Sequence, residues 1–102
     1  IKAMAHITGG GLLENIPRVI AKNLSVKLDL SSWEMPEIFK WLQKEGNINN
    51  TEMLRVFNCG VGMVIMVSQN ESHKVIKSLT NIGEEAWLIG KVFQSNKNNV
   101  II

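Results

Sequence analysis

Apolar and polar residues alternate along "SVKLDL", Ser25 to Leu30, which predicts a strand with one buried face. Ser31 and Ser32 end it, and Pro36 opens a helix in "PEIFKWLQKEG". There Ile38, Phe39, Trp41 and Leu42 share one face at helical spacing, and Gly46 is placed to stop the helix. Thr51 to Phe57 predicts a further short helix. From Met63 to Val67 the chain is continuously apolar, which predicts a strand buried on both faces. Ser68 and Glu71 have the spacing of a capping box, and Val75, Ile76, Leu79 and Ile82 stripe the helix that follows, up to Gly83. "AWLIGKVF" predicts a strand interrupted by Gly90, "SNKNN" a turn and "VII" a closing strand. Nearer the start, Leu12 to Glu14 begin a helical turn, and Pro17 pushes Ile16 towards extended geometry. Asn15 is then placed to cap a second turn that carries Pro17. Strands and helices alternate without a strict βαβ repeat. The fold class expected is therefore α+β, a mixed β-sheet with helices packed on one face.

A length of 102 residues suits one domain with a single core, and 45% apolar with 20% charged residues is ordinary for a globular chain. The opening "IKAMAHI" lacks an initiator Met and is already apolar, so it reads as the tail of an element in a longer protein. The net charge of +2 is spread over scattered lysines without a basic run, which disfavours nucleic acid as a partner. The single cysteine, Cys59, excludes an internal disulfide and fits a reducing cytosol. No segment approaches the roughly 18 consecutive apolar residues of a membrane span. His6 and His73 stand far apart with no ligand pattern near them, so no metal site is expected.

Nucleotide-binding motifs fail on spacing. Gly90-Lys91 lacks the preceding glycine of a P-loop, and Gly60 and Gly62 lead into a strand instead of a helix. Two glycine loops remain. Thr8-Gly9-Gly10-Gly11 runs into a helix start, where it is either a plain turn or a nest of N–H groups for phosphate oxygens, with Thr8 and His6 beside it. "FNCGVGM", Phe57 to Met63, crowds the entrance of the most apolar strand. Cys59 within it has no acid–histidine partner in view and is expected to be a buried, inert thiol. The tryptophans Trp33, Trp41 and Trp87 read as core or interface, and Arg18 and Arg55 as solvated charges able to meet a phosphate or carboxylate.

Taken in order, "HITGGGLLENIPR", "SSWEMPEIFKWLQKEGNI", "EMLRVFNCGVGM" and "GEEAWLIGKV" resemble the C-terminal domain of the phosphoribosylformylglycinamidine cyclo-ligase family, the aminoimidazole ribonucleotide synthetases. The likeness runs over nearly the whole chain. It implies that residues 1–102 are the single C-terminal domain of a two-domain enzyme, whose N-terminal ATP-binding domain is absent from this chain. The implied reaction closes an imidazole ring in de novo purine biosynthesis: formylglycinamidine ribonucleotide and ATP give aminoimidazole ribonucleotide, ADP and phosphate. ATP and Mg2+ are expected mainly through the N-terminal domain, and the isolated C-terminal domain is expected to be inactive. The resemblance also implies a cytoplasmic homodimer with its active site between the two domains. A substrate carrying a ribose 5-phosphate gives an anion-binding loop a purpose. Thr8, Gly9, Gly10 and Gly11 are thus implied to hold a phosphate group through oriented backbone dipoles, with His6 and Asn58 lining the cleft. No catalytic side chain is identified. Related synthetases of the selenophosphate or formylglycinamidine ribonucleotide type are the alternative, as is a non-catalytic scaffold domain.

Overall fold

The structure, a computed structural model, describes residues 1–102. Its elements in chain order are β1 (Ala3–His6), α1 (Gly11–Asn15), β2 (Leu24–Leu28), α2 (Glu37–Gly46), α3 (Asn50–Val56), β3 (Met63–Met66), α4 (Ser72–Asn81), β4 (Gly90–Gln94) and β5 (Val100–Ile101). The class is α+β, as expected, with the strands divided between two sheets. β1 and β3 form an antiparallel ribbon, Ala3 opposite Met66 and His6 opposite Met63. β2 is the centre of a mixed three-stranded sheet, antiparallel to β4 and parallel to β5.

Side-chain hydrogen bonds hold β5 in place. Ser25, fully buried on β2, donates to Asn99 Oδ1 at 3.0 Å and accepts from the Asn99 N–H at 3.1 Å. Asn98 adopts a left-handed φ of 47° and donates its amide to the Ala21 carbonyl at 3.0 Å. The asparagine-rich turn is thus a clasp between the chain's last strand and β2. At the other edge, Gly90 lies opposite Leu28, and a Cβ there would run into the Lys27 carbonyl. Gly90 therefore begins β4 instead of interrupting a longer strand; Ala86–Ile89 lie outside the strand, although the Ile89 carbonyl accepts the Asp29 N–H at 2.8 Å.

The core lies between the ribbon, β2 and the helix pair α1–α3, with Ala5, Leu12, Ile16, Leu28, Met53 and Val64 among its members. Several expectations need correcting here. β3 is buried on one face only: Val64 and Met66 are buried, whereas Met63 is 47% exposed. On α2, Phe39 and Leu42 turn inwards, Phe39 reaching Phe57 at 5.9 Å between ring centroids, but Ile38 and Trp41 are exposed. Asn47, not Gly46, takes the left-handed position that ends α2, since asparagine tolerates that geometry. Ser68 makes no capping bond; a 3-10 turn over Gln69–Glu71 intervenes before α4.

The region around Pro17 also differs. Ile16 is helical (φ −64°, ψ −47°) in spite of the following proline, because its fully buried side chain and its N–H, donated to the Leu12 carbonyl, hold it against the core. Asn15 caps nothing downstream. It ends α1, is buried, and donates its side-chain amide back to the carbonyls of Gly11 (2.9 Å), Thr8 (3.2 Å) and Gly9 (3.4 Å). These bonds set the shape of the glycine loop. Asn15→Ala removes all three bonds, the one to the Gly11 carbonyl being buried, and is expected to lower stability by about 2 kcal/mol. Urea denaturation checks this, and an unchanged midpoint contradicts it.

Candidate functional site

Both glycine loops meet at one end of the ribbon. Beyond the His6–Met63 pair the ladder continues with the Ile7 N–H donating to the Gly62 carbonyl at 3.0 Å. On the other side, α1 packs directly on the last turn of α3. Gly11, at φ +60°, sits so close that a Cβ would strike the Leu54 carbonyl and lie 2.7 Å from that of Phe57. His6, Thr8–Gly11 and the loop containing Asn58 are therefore neighbours, although about fifty residues separate them in sequence.

Within the first loop the glycines have different roles. Gly11 is buried, and its N–H donates to the Thr8 carbonyl at 2.9 Å. Gly10, at φ +97°, lies against Glu14, whose Cβ would be 2.9 Å from an added methyl group. Gly9 has neither a positive φ nor any atom within 4 Å of a built Cβ. Nothing inside the chain requires glycine there. Thr8 and Gly9 are exposed, and the amides of Thr8, Gly9 and Gly10 meet no acceptor within the chain. Close by, Arg18 forms no ion pair and approaches Asn15 Oδ1 at 3.5 Å, while Glu14 places a carboxylate beside Gly10.

In the second loop the Asn58 side chain accepts from the Gly60 N–H at 2.9 Å. Cys59 and Gly60 both take positive φ, 53° and 95°, and a Cβ on Gly60 would press into the Pro36 ring. Cys59 is buried, its Sγ 3.4 Å from the Met53 carbonyl, and burial pushes its thiol above the ordinary range. A thiol held protonated and shielded is a poor nucleophile, which agrees with an inert Cys59.

Beside these loops runs a groove of about 970 Å³ between the outer face of the ribbon, α4 and residues 84–90. His6, Gly60 and Gly62 line it; Thr8–Gly11 and Asn58 do not. Its charged lining is acidic, Glu34, Glu84 and Glu85, with no lysine or arginine. Trp33 and Trp87 stand on one wall with ring centroids 6.1 Å apart. Trp33 donates its indole N–H to the Cys59 carbonyl at 3.0 Å, whereas the Trp87 Nε1 is buried without a partner.

A family model described as AIR synthase related protein, C-terminal domain, matches residues 1–102. The chain belongs to that family. Its relatives include the trifunctional purine biosynthetic protein adenosine-3 of Homo sapiens, 52% identical over 92 residues, which cover 90% of this chain and 9% of that protein. Phosphoribosylformylglycinamidine cyclo-ligases of two Burkholderia ambifaria strains are 50% identical over 97 residues, covering 95% of this chain and 28% of theirs. This AIR synthase related domain thus spans under a third of the cyclo-ligases' length. No helix in it is long and apolar enough to cross a membrane. It brings together no group of three or more His, Cys, Asp or Glu side chains able to hold a metal ion.

Sequence reasoning missed two parts of this region. The stapling role of Asn15 had a signal, an amide four residues after Gly11 with three loop carbonyls within reach, but read locally it resembled a cap. The unpartnered Trp87 N–H had none, since only the tertiary packing of residues 84–90 isolates that atom.

Proposed function

We propose that this domain is the C-terminal part of a two-domain, ATP-dependent cyclo-ligase that converts formylglycinamidine ribonucleotide to aminoimidazole ribonucleotide in purine biosynthesis. The observation that carries the reading is 50% identity to cyclo-ligases over 95% of the chain. The enzyme is a cytoplasmic homodimer whose active site lies between its domains. Bound ATP supplies the phosphoryl group that activates the formyl oxygen for ring closure. ATP and Mg2+ are held mainly by the N-terminal domain.

This chain's contribution is a phosphate contact. The unpaired amides of Thr8, Gly9 and Gly10 offer fixed dipoles to phosphate oxygens, with the Thr8 hydroxyl beside them and Arg18 adding positive charge nearby. Gly11 serves the same loop indirectly, by letting α1 close onto α3. The Glu14 carboxylate covers the Gly10 side, so the anion lies over Thr8 and Gly9. His6 and Asn58 flank the loop, and of the two only His6 also faces the groove.

The test is a graft of this chain in place of the matching 97 residues of the Burkholderia enzyme. ADP release that depends on formylglycinamidine ribonucleotide is expected. A folded graft that hydrolyses ATP only with a sister synthetase's substrate, or releases no ADP, overturns the reading.

A further inference from the structure

A peptide between two glycines turns over easily, because no side chain hinders the rotation that exchanges its N–H for its C=O. A glycine run therefore has no fixed polarity. Amides turned outwards attract anions, and carbonyls turned outwards attract cations. In a trans peptide the two groups point in opposite directions, so whatever holds the carbonyl decides where the amide points. In this loop that hold comes from one side chain. The Asn15 amide nitrogen donates to the carbonyls of Thr8, Gly9 and Gly11, whose peptides carry the N–H groups of Gly9, Gly10 and Leu12. The Thr8 carbonyl has a second donor, the Gly11 N–H at 2.9 Å. The Gly9 carbonyl has only the Asn15 amide, at 3.4 Å, and a glycine stands on each side of its peptide bond. Asn15 is buried, and its Oδ1 lies 3.5 Å from Arg18 Nη1, so the same side chain also draws a guanidinium to the loop.

We infer that Asn15 is a positioning residue for the bound phosphate. It turns the loop's carbonyls inwards and thereby fixes the Gly9 and Gly10 amides outwards, where the phosphate meets them. Asparagine suits this place because its nitrogen donates to several carbonyls while carrying no charge. Aspartate has the same shape, but it would set a carboxylate against those carbonyls and release the Gly9–Gly10 peptide. Asn15 does not touch the ligand; it acts through the backbone it holds. The inference rests on the proposed phosphate contact, and adds the residue that gives the loop its sign.

Steady-state kinetics of Asn15→Asp, Gly9→Val and the double variant in the Burkholderia graft test it. Asn15→Asp is expected to raise KM about tenfold, as when roughly one molecule in ten keeps its amides outwards. The rise falls on one phosphate-bearing substrate alone, the one whose KM Gly9→Val also raises. The double variant is expected to be no worse than Gly9→Val, because both changes remove the same contact. A merely structural Asn15 would lower kcat through loss of folded enzyme and leave both KM values unmoved. That result, beside a raised KM in Gly9→Val, overturns the inference and spares the phosphate reading. Effects that multiply in the double variant overturn it too. If neither single variant moves a KM, the phosphate reading falls and takes the inference with it. Should Asn15→Asp not fold, Asn15→Ser, which keeps one donor, is read in the same way. Should the graft not fold, the variants are read in this chain co-expressed with the rest of the Burkholderia enzyme.

Discussion

Gly11→Ala is expected to destabilise the chain by about 3 kcal/mol or more, the sum of two independent penalties. A φ of +60° costs an L-residue about 1–2 kcal/mol. The added methyl group would overlap the Leu54 carbonyl and approach that of Phe57, and both are backbone atoms of the α3 terminus. A flexible side chain could swing aside; these cannot move without displacing α3 and the loop that follows. Overpacking of this kind adds about 1–3 kcal/mol, a large share of the roughly 5–15 kcal/mol that holds an ordinary domain together. Urea denaturation followed by tryptophan fluorescence measures it. Gly62→Ala is the matched control, since a Cβ there meets nothing within 4 Å and its φ is not positive. A Gly11→Ala midpoint equal to the control's would mean that α1 does not pack on α3 as described.

The contrast between glycines also marks how far the sequence could be read. Strands and helices were legible where one period dominated: β2 by its alternation, α4 by its stripe and its left-handed Gly83. The run from Met63 to Val67 was legible as a strand, but its burial was not. Periodicity reports which faces are apolar, and only tertiary structure reports what covers them. α2 repeats the lesson, for Ile38 and Trp41 match the apolar stripe yet stand in solvent. Pro17 misled because local steric preference yields to a buried Ile16 and its hydrogen bond. For the site, adjacent glycines could be quoted from sequence, but their separate roles could not. Gly11 and Gly10 are explained by contacts and φ, and those depend on residues far along the chain or on backbone geometry.

Gly9→Val is therefore the substitution that separates a turn from a phosphate site. Its backbone is not in the left-handed region, and a Cβ there would meet no atom within 4 Å. Stability is expected to stay within about 0.5 kcal/mol of the parent, as for other exposed positions with no special conformation. Activity is another matter. A branched side chain over Thr8 and Gly9 keeps a phosphate from the amides, and losing such oriented donors costs on the order of 100-fold in turnover efficiency. The measurement is kcat/KM in the Burkholderia graft, with KM taken separately for ATP and for formylglycinamidine ribonucleotide. A rise in KM confined to the ribonucleotide assigns the loop to its 5-phosphate; a rise confined to ATP assigns it to the nucleotide. Unchanged kinetics in a graft that melts normally would leave the glycine run as a turn, and Asn15 as the reason for its shape.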